Sequence, residues 1–326
     1  MKLSTPLSTK LGLASPIVQA PMAGGWTTPE LVAQVSEAGA LGSLAGAMLA
    51  PGELREKIRA VRSFTANPFA VNLFAPLPPP SERGLAEWAA VNGIPIPERP
   101  GPGPRFDDQL SVIRDEGVRV LSFTFGLPEL HGVEAFTIGT ATTVAEAEEL
   151  AAAGVSAVVA QGFEAGGHRG TFRLPVEQSL IGTMALVPQL VDAVSVPVLA
   201  SGGIMDGRGI AAALALGAQG VQLGTAFLAT DEAGIGTDYR NALTQPTTVT
   251  TVLTGRHARA ARTPQVDDLE RSGIAPPDYP LPRLFLRRPP YLAGQGGPMA
   301  RRLPAEELVR VLESETDTAI ARLSQG

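Results

Sequence analysis

Short apolar runs alternate with stretches of helical period through most of this chain. The segments 17–22, 41–45, 69–74, 118–123, 136–139, 155–161, 196–200 and 220–225 are brief and apolar, rich in Val, Ile, Leu and Phe, and bounded by glycine or proline. Such runs read as strands buried on both faces. Between most of them lie amphipathic segments, over 30–37, 51–62, 106–116, 143–153, 184–194 and 207–216. Thr28 and Pro29 supply the cap and first position of the first of these, and Gly39, Gly154 and Gly217 stand where helices stop. The connection over 127–132 is very short. Eight strands alternating with helices predict an α/β fold of the TIM (β/α)8 barrel type. An open doubly wound sheet is the alternative, but it usually opens on G-x-G-x-x-G, which occurs nowhere here.

Two segments break the alternation. Residues 76–106 are dense in proline and glycine, carry Trp88, and read as an insertion of little regular structure after the third strand. Beyond the barrel, taken as residues 1–228, the tail 229–326 shows a helical stretch at 238–243, a loop-like stretch at 264–290 and an amphipathic helix at 304–323. Leu308, Val311, Leu312, Ile320 and Leu323 share one predicted face of that last helix. The tail is expected to fold back on the barrel.

Composition narrows the function. A net charge of −6 with no basic stripe argues against nucleic acid, and Arg256, Arg259 and Arg262 read as solvated loop residues. No apolar run approaches the ~18 residues of a membrane span, and Met1–Pro6 lacks the apolar core of a secretory signal. The absence of cysteine removes disulfides, thiolate metal sites and cysteine nucleophiles together. A cytoplasmic protein without a bound metal, monomeric or homodimeric, is expected.

Candidate chemistry gathers at the strand ends, where barrels of this type place their sites. The segment 160–170 (Ala-Gln-Gly-Phe-Glu-Ala-Gly-Gly-His-Arg-Gly) leaves the sixth strand and abandons all periodicity. Its glycines let main-chain N–H groups approach a ligand, and His168 is the histidine held among them. A plain glycine-rich turn with a capping histidine is the alternative. The seventh and eighth strands end in Ser201-Gly202-Gly203 and Gly224-Thr225, suited to a phosphate held by main-chain N–H groups beside helix N-termini. Each is equally a tight turn taken alone. Ala20-Pro21-Met22, Asn72 and Gln161 end other strands, and their amides can donate and accept along the edge of a flavin ring. Ser122 and Thr124 also end a strand, whereas Asp206 reads as a helix cap and His131 and His257 as surface or packing residues. Arg169 reads either as an anion holder or as an outward ion-pair partner.

These motifs together resemble the nitronate monooxygenases, formerly 2-nitropropane dioxygenases, and most closely the class with E-A-G-G-H-R-G after strand six. The likeness extends over nearly the whole chain, including Gly139-Thr140-Ala141-Thr142 and Ala293-Gly294-Gln295-Gly296. It implies an FMN-dependent barrel that oxidises alkyl nitronates, such as propionate 3-nitronate, with O2 to a carbonyl compound and nitrite. It implies FMN contacts at Ala20, Pro21, Met22, Asn72, Gln161, Gly166, Gly203, Gln222, Gly224 and Thr225, to which the glycine-rich turns add Gly167, Ser201 and Gly202. The family's active-site histidine falls on His168, where an unperturbed imidazole would donate to the nitronate or take the α-proton of a neutral nitroalkane. Competing readings are a flavin-dependent enoyl reductase or NAD(P)H:quinone reductase on the same barrel, and a flavin-storage protein. An inosine-monophosphate-dehydrogenase-like barrel would need a cysteine that this chain lacks.

Overall fold

Eight parallel strands close on themselves. In the computed structural model, which describes residues 3–96 and 103–324, a short helix α1 (Pro6–Leu11) precedes strand β1 (Ile17–Gln19). The alternation then runs α2 (Pro29–Glu37), β2 (Gly42–Ala45), α3 (Pro51–Phe64), β3 (Phe69–Phe74), α4 (Leu85–Val91), α5 (Phe106–Asp115) and β4 (Val120–Thr124). It continues through β5 (Phe136–Ala141), α6 (Val144–Ala152), β6 (Ala157–Gln161), β7 (Gly167–His168), α7 (Thr183–Ala193), β8 (Val198–Ser201), α8 (Gly207–Ala215) and β9 (Gly220–Leu223). The strands neighbour one another in the order β1-β9-β8-β6-β5-β4-β3-β2. A parallel bridge between Val18 and Leu41 joins the two ends, with Leu41 N–H donating to Ile17 O and Gln19 N–H to Leu41 O, both at 2.9 Å. The fold is a TIM barrel, as the alternation predicts.

The two-residue period of each strand sorts the interior into layers. Val18, Ala70, Val120, Ile138, Ala157, Val159 and Leu199 point inward and pack with Leu7 and Leu11 of α1, which plugs the N-terminal end. One step further along the strands the inward positions turn polar: Asn72 stands opposite Ser122, and Ser201 stands opposite both Gln161 and Gln222. An apolar base under a polar rim puts hydrogen-bonding capacity at the C-terminal mouth.

The tail adds α9 (Thr225–Leu228), α10 (Thr237–Ala242), β10 (Thr247–Thr250), β11 (Ala258–Ala261), α11 (Pro264–Arg271), α12 (Leu281–Phe285) and α13 (Ala305–Ser324). Strand β11 pairs antiparallel with β10 and with β7, so the glycine-rich segment after β6 contains a strand where sequence periodicity shows none. A two-residue strand has no room for a period, which is why it is invisible in sequence. The expected loop over 264–290 contains α11 and α12. Thr263 caps α11 by accepting from Val266 N–H, with Pro264 at the first position. That cap stands in the sequence and outweighs the local proline content.

The insertion also holds a helix, α4, whose Trp88 is fully buried against tail residues that include Leu253, Leu269 and Phe285. Burial of a tryptophan, roughly 150–250 Å² at about 25 cal/mol/Å², contributes on the order of 4–6 kcal/mol and orders an otherwise proline-rich stretch. Residues 97–102 of the insertion lie outside the described residues, as do Met1 and Lys2. Helix α13 packs on α8 and α2, but through Ala305, Leu308, Val309, Leu312 and Thr316. Val311 is only half-buried, and Ile320 and Leu323 are exposed beyond the end of the contact, correcting the predicted face. No helix among the described residues is long and apolar enough to cross a membrane.

Candidate active site

A cleft opens at the C-terminal mouth of the barrel. It encloses about 1050 Å³ of empty space counted out to its opening, at the upper end of the roughly 300–1,000 Å³ of small-molecule and cofactor sites. Met22, Gly166, Gly167, His168, Ser201, Gly202, Gly203, Gln222, Gly224 and Thr225 line it, which brings together most of the residues singled out by sequence. Ala20, Pro21, Asn72 and Gln161 are not among its lining residues. Asn72 Nδ2 donates to Ser122 Oγ at 3.0 Å. Gln161 donates to His168 O at 3.0 Å and accepts from Gly170 N–H at 2.8 Å. Both amides are therefore committed to the polar layer beneath the cleft. Thr124 faces Thr140 at 3.4 Å, and it and Ser122 also stay off the lining.

The loops after β8 and β9 form one wall. The main-chain N–H groups of Gly202, Gly203 and Gly224 donate to no described residue. Gly202 and Gly203 adopt φ of +126° and +70°, and a Cβ on Gly202 would lie 2.7 Å from Thr183 Oγ1. Only glycine suits this backbone. The expected help from the α8 dipole is absent: Asp206 accepts from the N–H groups of Arg208 and Gly209, and Glu315 accepts from Gly207 N–H. Two carboxylates already occupy that N-terminus, so an anion in the cleft would meet loop N–H groups instead.

The loop after β6 forms a second wall, pinned from behind. Arg169, 1% exposed, donates to Gln161 O (3.2 Å), Gln161 Oε1 (3.2 Å), Gly162 O (2.8 Å) and Ser179 O (2.7 Å). Burial pushes its guanidinium down to about 10. It is a structural strut, neither a substrate ligand nor an outward ion-pair partner. Arg259, also buried, donates twice to Phe163 O and lies over the Phe163 ring. Arg256 donates to Thr171 O and lies 4.1 Å over the Phe125 ring. These two arginines, Arg256 half-buried and Arg259 buried, are thus packed cross-links, and Arg262 is exposed, paired with Asp267 at 2.8 Å. Gly166 meets the tail so closely that a Cβ there would lie 2.5 Å from Gly294 N.

His168 sits on β7 between the rings of Tyr279 (5.2 Å) and Phe125 (5.8 Å), with Nε2 3.0 Å from Thr254 Oγ1. Burial, reinforced by the positive charges of Arg256 and Arg283, pushes its pKa down to about 3. The imidazole is neutral at physiological pH, so it offers one N–H donor and one lone pair. Phe125 holds a left-handed φ of +79°, the one non-glycine residue to do so among those described, and such strain concentrates at sites. His131 and His257 lie elsewhere, beside Glu129 and Glu177 on the surface.

Sequence reasoning missed the remaining walls: Met48, Phe74, Thr254, Tyr279 and Arg283, together with Trp26 and Tyr239. Among the described residues, Arg283 carries the one guanidinium on the lining. Burial lowers its pKa, Tyr279 opposes that effect electrostatically, and among the described residues its guanidinium donates to Met48 Sδ. Nothing in its own segment, on a short helix of the tail, marks it in sequence.

The profile of the nitronate monooxygenase family matches residues 5–288. The chain is 42% identical to a probable nitronate monooxygenase of Staphylococcus saprophyticus, covering 86% of this chain and 85% of that one. It is 41% identical to the nitronate monooxygenase of Pseudomonas aeruginosa, covering 94% and 97%. Among solved structures, the nitroalkane oxidase of Streptomyces ansochromogenes superposes with a TM-score of 0.86 at 40% identity, over 96% of this chain and 99% of that one. FabK of Thermotoga maritima follows at 0.77 and 28%, over 99% of each. With a family profile spanning barrel and most of the tail, and relatives near two-fifths identity along their length, the chain belongs to the nitronate monooxygenase family.

Proposed function

We propose that this oxidoreductase binds FMN in the cleft and uses it to oxidise alkyl nitronates with O2 to a carbonyl compound and nitrite. The observation that carries the reading is the pairing of two unlike walls. On one side, three unpaired main-chain N–H groups at Gly202, Gly203 and Gly224 surround a space no Cβ fills. That donor set fits a phosphate held without lysine. On the other side, apolar side chains surround one imidazole and one guanidinium.

Gly202, Gly203, Gly224 and Thr225 would hold the phosphate, and Met22, Gly166 and Gly167 would border the rest of the cofactor. Bound there, FMN supplies the electron-transfer chemistry that no side chain of this protein provides. Arg283 draws an anionic nitronate to the cleft and neutralises its oxygens, a stronger effect in a site walled by Met48 and Phe74 than in water. His168, neutral, can accept a proton from a nitroalkane that arrives un-ionised. We further infer that residues 229–326 form one unit with the barrel, because Thr254, Tyr279, Arg283 and Gly294 all line the cleft from the tail.

The likeness to FabK makes reduction driven by nicotinamide the reading to exclude. The holoenzyme is mixed without oxygen with propionate 3-nitronate or with NADH, and its flavin absorbance is followed. Rapid loss with the nitronate, and nitrite release on admitting O2, support the proposal. Loss with NADH alone would replace it with a reductase.

A further inference from the structure

Strand pairing places a hydroxyl beneath the His168 ring. His168 on β7 stands opposite Ala258 on β11, and Thr254 lies in the turn that joins β10 to β11. Thr254 is completely buried. Its Oγ1 has three neighbours: His168 Nε2 at 3.0 Å, Arg256 O at 2.9 Å and Arg256 N at 3.3 Å.

A hydroxyl offers one hydrogen and two lone pairs, so these three contacts can be assigned one by one. Arg256 O is a carbonyl and only accepts, which takes the hydroxyl hydrogen. Arg256 N–H only donates, which takes one lone pair. What faces His168 is the second lone pair, so the hydrogen of that contact must come from the ring. The reverse assignment would set the lone pairs of Oγ1 and Arg256 O against each other at 2.9 Å. In a neutral imidazole a hydrogen on Nε2 leaves the lone pair on Nδ1. No described residue bonds to Nδ1.

We propose that Thr254 is a positioning residue that holds His168 as its Nε2–H tautomer and so presents Nδ1 as the proton acceptor of the cleft. This rests on the reading of His168 as the base for un-ionised nitroalkanes. In that step the α-carbon proton moves to Nδ1 and the C–H electron pair passes into the nitro group, giving the nitronate. The charged and titratable groups facing the ring are Arg256, Arg283 and Tyr279, all on the tail. The two guanidiniums oppose a charged ring, and the negative charge arising on the nitro oxygens offsets that opposition as the proton moves.

The test has two arms. In protein labelled with 15N at histidine, long-range 1H–15N correlations report the tautomer, with His168 assigned by its loss in His168→Asn. Wild type and Thr254→Ser should show the Nε2–H form, and Thr254→Val a mixture of both. A wild-type His168 protonated at Nδ1 would overturn the proposal, whatever the enzyme turns over. In the second arm, Thr254→Val should lower kcat/KM for a neutral nitroalkane by roughly 10–100-fold, a part of the usual general-base contribution. Its effect on kcat for preformed nitronate should be several-fold smaller than that, because no proton is abstracted there. Thr254→Ser should restore the nitroalkane rate. Equal slowing of both substrates would overturn the positioning role. A wild type inactive on both substrates would instead defeat the functional reading and leave the tautomer to the spectra.

Discussion

Replacing Arg169 by Met tests how the loop that carries His168 is held. The guanidinium supplies hydrogens to four oxygens, but Nη1 has two hydrogens for three of them, so about three full bonds are at stake. Hydrogen bonds to a charged group contribute roughly 1.5–3 kcal/mol each, or about 5–9 kcal/mol in all. Against this stands the cost of keeping the charge buried. A pKa pushed from 12.5 to about 10 corresponds to about 3 kcal/mol. The bonds win, and Arg169→Met should destabilise the protein by about 2–5 kcal/mol. For a chain of 326 residues with about 2.1 cal/mol/K of unfolding entropy per residue, that lowers Tm by about 3–7 °C. Differential scanning calorimetry of the apoprotein gives the number. Arg169→Lys should fall between, because one ammonium cannot span Gly162 O and Ser179 O. A Tm for Arg169→Met within 1 °C or so of wild type would refute the strut, and with it the idea that the loop geometry depends on buried charge.

Three further outcomes follow from the same geometry. His168 titrates near 6.5 when unfolded and at about 3 when folded, so its contribution to stability is complete above about 6.5 and is lost as pH falls toward 3. By pH 5 the loss is about 2 kcal/mol, and His168→Gln should lose correspondingly less stability than wild type in denaturant titrations at pH 7 and 5. Arg283→Met should lower kcat/KM for a nitronate roughly 10–100-fold, the worth of one charge-assisted contact, mostly through KM in steady-state assays. An unchanged KM would remove Arg283 from substrate binding. Gly166→Ala, whose Cβ would meet Gly294 N at 2.5 Å, should separate loop from tail and speed flavin release measured by fluorescence, while Gly103→Ala, in open space, should not.

The barrel was legible because its signal is redundant. Eight apolar runs repeat one period, and an error of three residues at the end of β1 or of two at the start of β4 does not alter the topology. The glycine-lined wall of the cleft was legible for a related reason, since Gly202-Gly203 and Gly224 stand at two adjoining strand ends. Asn72 and Gln161 were expected at the rim on the right strands, and the structure sets both one layer beneath it, because residue type cannot say whether an amide faces a ligand or its neighbour. Thr254, Tyr279 and Arg283 left no trace, since only the pairing of β7 with β11 and the fold of the tail bring them to His168. The depressed basicity of that histidine was likewise out of reach, as it depends on two arginines 88 and 115 residues further along the chain (256 − 168 and 283 − 168).

The central claim is that loop N–H groups at Gly202, Gly203 and Gly224 hold the phosphate of a flavin. Fluorescence titration of the apoprotein with FMN and with riboflavin, which differ by that phosphate alone, tests it most directly. Several charge-assisted bonds at roughly 1.5–3 kcal/mol each predict at least about 100-fold tighter binding of FMN, with the difference largely gone in Gly203→Val. Equal affinities for the two flavins would contradict the account.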